Sequence, residues 1–173
     1  MYNISRRSAL SLLAGVSALA FGMPQPARAD AAPIDLPKPG PRDTCAVCGM
    51  FVARYPEWVT TLVFADGTAF YFDGPKDFFK FLEDVPHYAA GRSRDQIATM
   101  AVTDYYGVRQ VAAQEALFVV GSDVLGPMGH EFVPLATEAD AADFMKDHAG
   151  KHLFRFAEIP AGLPAKLDAG QFE

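Results

Sequence analysis

The chain is poor in metal-binding and redox side chains, with two cysteines and four histidines in 173 residues. Two thiols exclude an all-cysteine zinc site, which takes four, and a scaffold stapled by several disulfides. Basic residues are also scarce. Fifteen Lys and Arg face 21 Asp and Glu, a net charge of −6, so no surplus exists to neutralise phosphates and nucleic acid is excluded as a partner. The main apolar run, Ala9 to Phe21, falls short of the ~20 residues that span a bilayer. A mean hydropathy of +0.07 rules out a multi-span membrane protein. No Ser-His-Asp set, phosphate-cradling loop or paired-carboxylate site is legible. At 50% hydrophobic and 21% charged the chain is too apolar to be disordered, and its length fits one compact domain with a processed end.

Arg6 and Arg7, the apolar run, and Ala27-Arg28-Ala29 have the order of a cleaved signal peptide over residues 1–29. Ser5-Arg6-Arg7-Ser8-Ala9-Leu10 resembles a twin-arginine signal, so the expected location is the periplasm. Cleavage after Ala29 removes three arginines and leaves 12 basic against 21 acidic side chains, a net −9. Such a surface attracts cations and basic partners. No cysteine lies just after the apolar run, so no lipid anchor is expected. Residues 30–43 hold four prolines and read as an extended linker without a core. Residues 160–173 read as a flexible tail, broken by Gly and Pro.

Residues 44–159 carry the folding pattern. Trp58 to Phe64 and Thr68 to Phe72 are β-branched and aromatic runs flanking Asp66-Gly67, a hairpin signal because the turn needs positive φ. Asp73 is placed to cap a helix with Pro75 in its first turn and Phe78, Phe79, Phe81 and Leu82 on its apolar face. Asp66, Asp73 and Asp77 are thereby assigned to turn and cap roles. The order recurs with strands at Ala116–Gly121 and Glu131–Leu135, then a helix from Thr137 to about His148 and a closing strand at His152–Ala157. Ile97–Asp104 adds a strand between the halves. Asp77-Phe78-Phe79-Lys80 and Asp143-Phe144-Met145-Lys146 occupy matching places on the two helices. A duplicated ββα(β) unit of the α+β class follows, with small antiparallel sheets and helices packed on one face.

The chemistry concentrates in Cys45-Ala46-Val47-Cys48-Gly49-Met50. Two thiols three positions apart can close a disulfide, exchange thiols, or grip one soft metal ion. Met50 adds a thioether, and thiolate with thioether selects Cu(I). The competing readings are a thiol–disulfide oxidoreductase using Cys45 and Cys48, and an inert domain with a local bridge. Against thioredoxin-like chemistry, that motif opens a helix after a parallel strand, whereas here Tyr55-Pro56 and a hairpin follow. A second cluster is Gly126-Pro127-Met128-Gly129-His130, where flanking glycines make Met128 an exposed loop residue and His130 supplies a nitrogen donor. With the halves duplicated, Met50 and Met128 each precede a repeat's strand and can converge into a Cys/Met/His pocket. His87, His148 and His152 read as structural, and Met100 and Met145 as core.

Cys45-x-x-Cys48-Gly49-Met50, Phe72-Asp73-Gly74-Pro75, Phe118-Val119-Val120-Gly121-Ser122 and Gly126-Pro127-Met128-Gly129, followed by Ala141-x-x-Phe144 and Gly150, resemble in type and order the NosL family. These are accessory copper chaperones of nitrous oxide reductase maturation, and the resemblance spans residues 43–159. It implies a periplasmic Cu(I)-binding protein without catalytic activity. Its partners would be nitrous oxide reductase and the cognate membrane transporter complex. Cys48, Met50 and Met128 match the family's ligand positions, and Cys45 its first motif cysteine. His130 rests on its donor chemistry alone. Many members are lipoproteins, and this chain lacks their lipobox cysteine.

Overall fold

The computed structural model describes residues 30–173; the signal segment expected over 1–29 lies outside the described residues. In chain order the elements are β1 (Thr60–Phe64), β2 (Ala69–Phe72), α1 (Pro75–Glu83), the short α2 (Val85–Tyr88), β3 (Ile97–Thr103), β4 (Gln110–Ala112), β5 (Leu117–Val120), β6 (Leu125–Gly126), β7 (Gly129–His130), β8 (Val133–Leu135), α3 (Glu138–Asp147), β9 (His152–Arg155) and α4 (Leu163–Leu167). One sheet has the order β2-β1-β3-β4, a second β8-β5-β9, and β6-β7 is a separate ribbon. All pairings are antiparallel. The duplication is real at the level of topology. Each unit runs ββαβ, and its first strand sits at the centre between the second and the last.

Local chemistry explains the elements. In the first hairpin Thr60 pairs with Phe72 and Val63 with Ala69. The Asp66 carboxylate accepts from the Thr68 N–H at 3.0 Å, and Gly67 takes φ +84°, a value that favours glycine. Where the first unit has this tight turn between its paired strands, the second carries the β6–β7 ribbon. α3 begins at Thr137, whose hydroxyl accepts from the Asp140 N–H at 3.0 Å, as its sequence indicates. α1 begins one residue later than expected, with Gly74 as its N-cap.

The two helices have different jobs. α3 buries only Ala141 and Phe144, against Leu117, Val119, Val133 and Leu135 of the second sheet. α1 lies between the units and buries seven of its nine residues. Phe78 and Phe81 meet Phe72 of the first sheet, while Phe79 meets Phe118 and Phe132 of the second unit, with ring centroids 5.1 and 4.9 Å apart. Truncating any of these rings to alanine costs about 3–5 kcal/mol.

Both flanks depart from expectation. The segment 30–43 is extended, but it is not without a core. Ala31 is buried, its N–H donates to Ala136 O, the Ile34 N–H donates to Gln110 O, and Ala112 N–H donates to Ala32 O. It therefore straps the β4 edge to the second unit; proline's missing N–H is tolerated on such an edge. The tail is not loose either. Leu163 and Leu167 enter the main core, α4 packs on α1, and the Gly162 N–H donates to Glu83 at 2.8 Å. Gly162 and Pro164 start this short helix rather than break it, because Gly162 takes φ +79° and Pro164 falls in the first turn.

Candidate metal centre

The loop carrying the thiols closes on itself. Thr44 bridges Phe51 across it, the Cys45 N–H donates to Met50 O at 2.8 Å, and the Gly49 N–H donates to Cys45 O at 3.0 Å. Gly49 permits the reversal through φ +79°. Cys45 is buried against the core, Cys48 is half-buried, and neither is cross-linked. Both sulfurs face α1.

There they meet two carboxylates. Cys48 Sγ donates to Asp73 Oδ1 at 3.2 Å, and Cys45 Sγ donates to Asp77 Oδ2 at 3.3 Å. One donor atom from each of the four residues lies within 4.8 Å of the others. The turn and cap assignment holds for Asp66 but not for Asp73 and Asp77. Gly74 takes over the N-cap position, which leaves Asp73 free to turn inward, and Asp77 follows four residues on, so the two acids flank the mouth of α1. Gly74 also makes room for a neighbour: a Cβ there would lie 2.5 Å from Glu131 Oε1, so a larger residue must displace that carboxyl. Glu131 is buried and accepts from the Lys76 N–H at 2.8 Å.

Burial and acid neighbours hold the thiols protonated. Burial pushes Cys45 far above the ordinary thiol range, and Asp73 adds to the rise against the opposing N–H of Cys48. Cys48 is pushed up to about 12, by burial first and then by the Asp77 and Asp73 carboxylates, against the Met50 N–H. A nucleophilic redox cysteine needs the reverse, a thiolate stabilised by cations or a helix N-terminus. A metal ligand must shed its proton as well, and here the geometry provides for that. Each S–H already points at a carboxylate, so the proton displaced when metal takes the sulfur has an acceptor beside it. Among the described residues, Asp73 Oδ2 and Asp77 Oδ1 are buried without a hydrogen-bond partner, although Asp77 Oδ1 lies 3.2 Å from the Lys80 ammonium. Buried acceptors left this way carry unspent capacity for a proton or a cation. The residues present fit a metal ion that takes sulfur donors.

The remaining expected donors fall as follows. Met50 ends the thiol loop and is half-buried. Met128 is 42% exposed at the tip of the β6–β7 ribbon, whose only register is Leu125 with His130 and Gly126 with Gly129. Its carbonyl accepts from Lys76 Nζ at 2.8 Å. The ribbon tip is thereby tied to Lys76, one residue before Asp77 on α1. His130 points elsewhere, with its ring 4.9 Å from Phe172 and outside the thiol–carboxylate group. His148 pairs with Asp123 at 3.0 Å, consistent with a structural role, and Met100 is core. A cleft of about 590 Å³ lined by Pro33, Ile34, Pro39, Pro56 and Arg109, among others, holds no Cys, Met or His. Sequence reasoning missed Asp73, Asp77 and Lys76. The available signal was two acids four apart, Asp73 and Asp77, flanking Lys76 at the start of a Phe-rich helix.

Two ββαβ units joined through a buried aromatic helix, with a thiol–carboxylate cluster at a closed loop, define a small domain with a site able to hold a metal ion. The NosL family model matches residues 37–163, and the chain belongs to the NosL family. Among solved structures it is similar to the copper chaperone NosL from Shewanella denitrificans, at 27% identity and a TM-score of 0.62 over 76% of this chain and 99% of that one. That relative is a copper chaperone. No curated protein matches the chain.

Proposed function

We propose that the protein carries one Cu(I) ion, bound by Cys48, Met50 and Met128 with Cys45 as the further thiol, and passes it on for assembly of a copper enzyme. The observation that carries this reading is the pair of uncrosslinked, carboxylate-partnered thiols within 4.8 Å, in a chain of the NosL family. Cu(I) prefers soft sulfur and accepts low coordination numbers. On loading, an S–H bond breaks, a Cu–S bond forms, and the proton passes by way of the adjacent aspartate. Thioethers are neutral and bind more weakly than thiolate, so a partner's donor can displace them stepwise and draw the ion away. His130 stays out of the ligand set in this reading because its ring packs on Phe172.

The client is nitrous oxide reductase, reached through the cognate membrane transporter complex, and the site of action is the periplasm. Family resemblance supports the first, and the Arg6-Arg7 signal with Ala27-Arg28-Ala29 supports the second. The acidic surface steers the carrier toward a basic docking patch, an attraction that weakens as salt rises.

The test is a Cu(I) titration of the reduced protein against a chromogenic chelator. The expected result is one ion per chain, lost in Cys48→Ala and weakened in Met50→Leu and Met128→Leu. Reduced protein that ignores Cu(I), or that reduces insulin disulfides catalytically, overturns the carrier and favours the oxidoreductase. Reductase isolated with its full copper content from cells lacking this protein refutes the client.

A further inference from the structure

The Met128 ribbon is too short to hold itself. Two paired residues per strand make a hairpin that is marginal without tertiary anchors. Two anchors are visible, and both lead to the last residues of the chain. His130 stacks edge-on against Phe172, which is itself covered by the Lys151 ammonium at 4.3 Å. The Met128 carbonyl is held by Lys76, which is completely buried and whose ammonium sits 2.9 Å from Asp168 Oδ1. The other oxygen, Asp168 Oδ2, lies 2.7 Å from Lys80 Nζ. Lys80 in turn lies 3.2 Å from Asp77 Oδ1, the carboxylate that accepts from Cys45. One carboxylate thus reaches both sides of the candidate copper site, through Lys76 to the thioether ribbon and through Lys80 to the thiol cluster. Asp168 lies past residue 163, the end of the family match.

We infer that Asp168, acting through Lys76 and Lys80, is a positioning residue that fixes the Met128 ribbon against the thiol loop, so that the C-terminal segment sets the geometry of the copper donors. The inference rests on the carrier reading for its copper part. A surface staple of α4 on α1 needs only the Asp168–Lys80 contact. It does not require a buried lysine that also donates to the backbone of the proposed ligand loop. The charge-assisted bonds at Lys76 are short and start from a completely buried ammonium, which makes them stiff restraints.

Two variants test it. Lys76→Met keeps the apolar stem and removes the ammonium without stranding a charge, and Asp168→Asn keeps the shape. Circular dichroism confirms that each folds. In the metal-free protein, amide exchange across Leu125–His130 rises about tenfold in both, the loss of one charge-assisted hydrogen bond, while exchange across Cys45–Met50 stays at the wild-type rate. In the loaded protein, X-ray absorption shows one sulfur fewer around copper, and Cu(I) affinity falls about tenfold, matching Met128→Leu. Lys76→Met combined with Met128→Leu binds no more weakly than Met128→Leu alone. Wild-type exchange in the ribbon, or an affinity loss that adds to that of Met128→Leu, overturns the positioning role. Failure of the wild type to bind Cu(I) overturns the carrier reading and the copper part with it, whereas the exchange experiment reads the brace independently.

Discussion

Removal of the half-exposed Asp168 should damage the fold more than removal of its fully buried partner Lys76. The Asp168 side chain is 47% exposed and that of Lys76 is 0% exposed. Asp168→Ala leaves an ammonium inside the protein with one acceptor, the Met128 carbonyl. Breaking a buried pair by taking away one partner costs about 3–5 kcal/mol, because the surviving charge is uncompensated. Lys76→Met leaves a different remnant. Asp168 keeps Lys80 at 2.7 Å and its access to water, and the methionine refills the apolar channel. The loss then reduces to one unpaired carbonyl, about 1–3 kcal/mol. The double variant should resemble Lys76→Met alone, since without the ammonium Asp168 has little left to compensate. Urea unfolding followed by Trp58, the single tryptophan and a buried one, measures all three midpoints. A Lys76→Met cost equal to or greater than that of Asp168→Ala, or simple additivity in the double variant, refutes the reasoning.

Two further outcomes follow from the buried acids. Asp73 raises both thiols, so Asp73→Asn should move them back toward the ordinary range. Alkylation of Cys48 by iodoacetamide at pH 8 then speeds several-fold; an unchanged or slower rate contradicts the assigned cause. Glu131 is pushed up to about 8 by complete burial, against the N–H and ammonium of Lys76. Its folded state therefore holds the proton more tightly than the unfolded chain, where the ordinary value is 4.5. The stability it contributes is complete below pH 4.5 and is lost as pH rises through 8, with a slope of at most about 1.4 kcal/mol per pH unit. Urea midpoints between pH 5 and 9 should fall accordingly in the wild type and flatten in Glu131→Gln; parallel curves would sink this assignment.

The α+β class, the two ββαβ units and the sulfur-bearing loops were legible along the chain. Those features are local: alternating β-branched and aromatic runs, Asp66-Gly67 at the turn, Thr137 at a helix start, and Cys45, Cys48 and Met50 within six residues. Periodicity and turn chemistry act over a few positions and are therefore written in order along the chain. What surrounds the sulfurs came from long-range packing. Asp73 and Asp77 carry sound local explanations as cap residues, and it is the close approach of the thiol loop to α1 that turns them into its partners. The strap at 30–43 and the tail at 160–173 look featureless because Pro and Gly erase periodicity. Their order comes from long-range bonds such as Ala31 to Ala136 and from Leu163 and Leu167 filling a core built by other segments. Likewise nothing local sets Lys76 apart; Asp168, 92 positions away, compensates its charge in the interior. Burial of a charge depends on partners that arrive from elsewhere in the fold, and no pattern within one segment announces them.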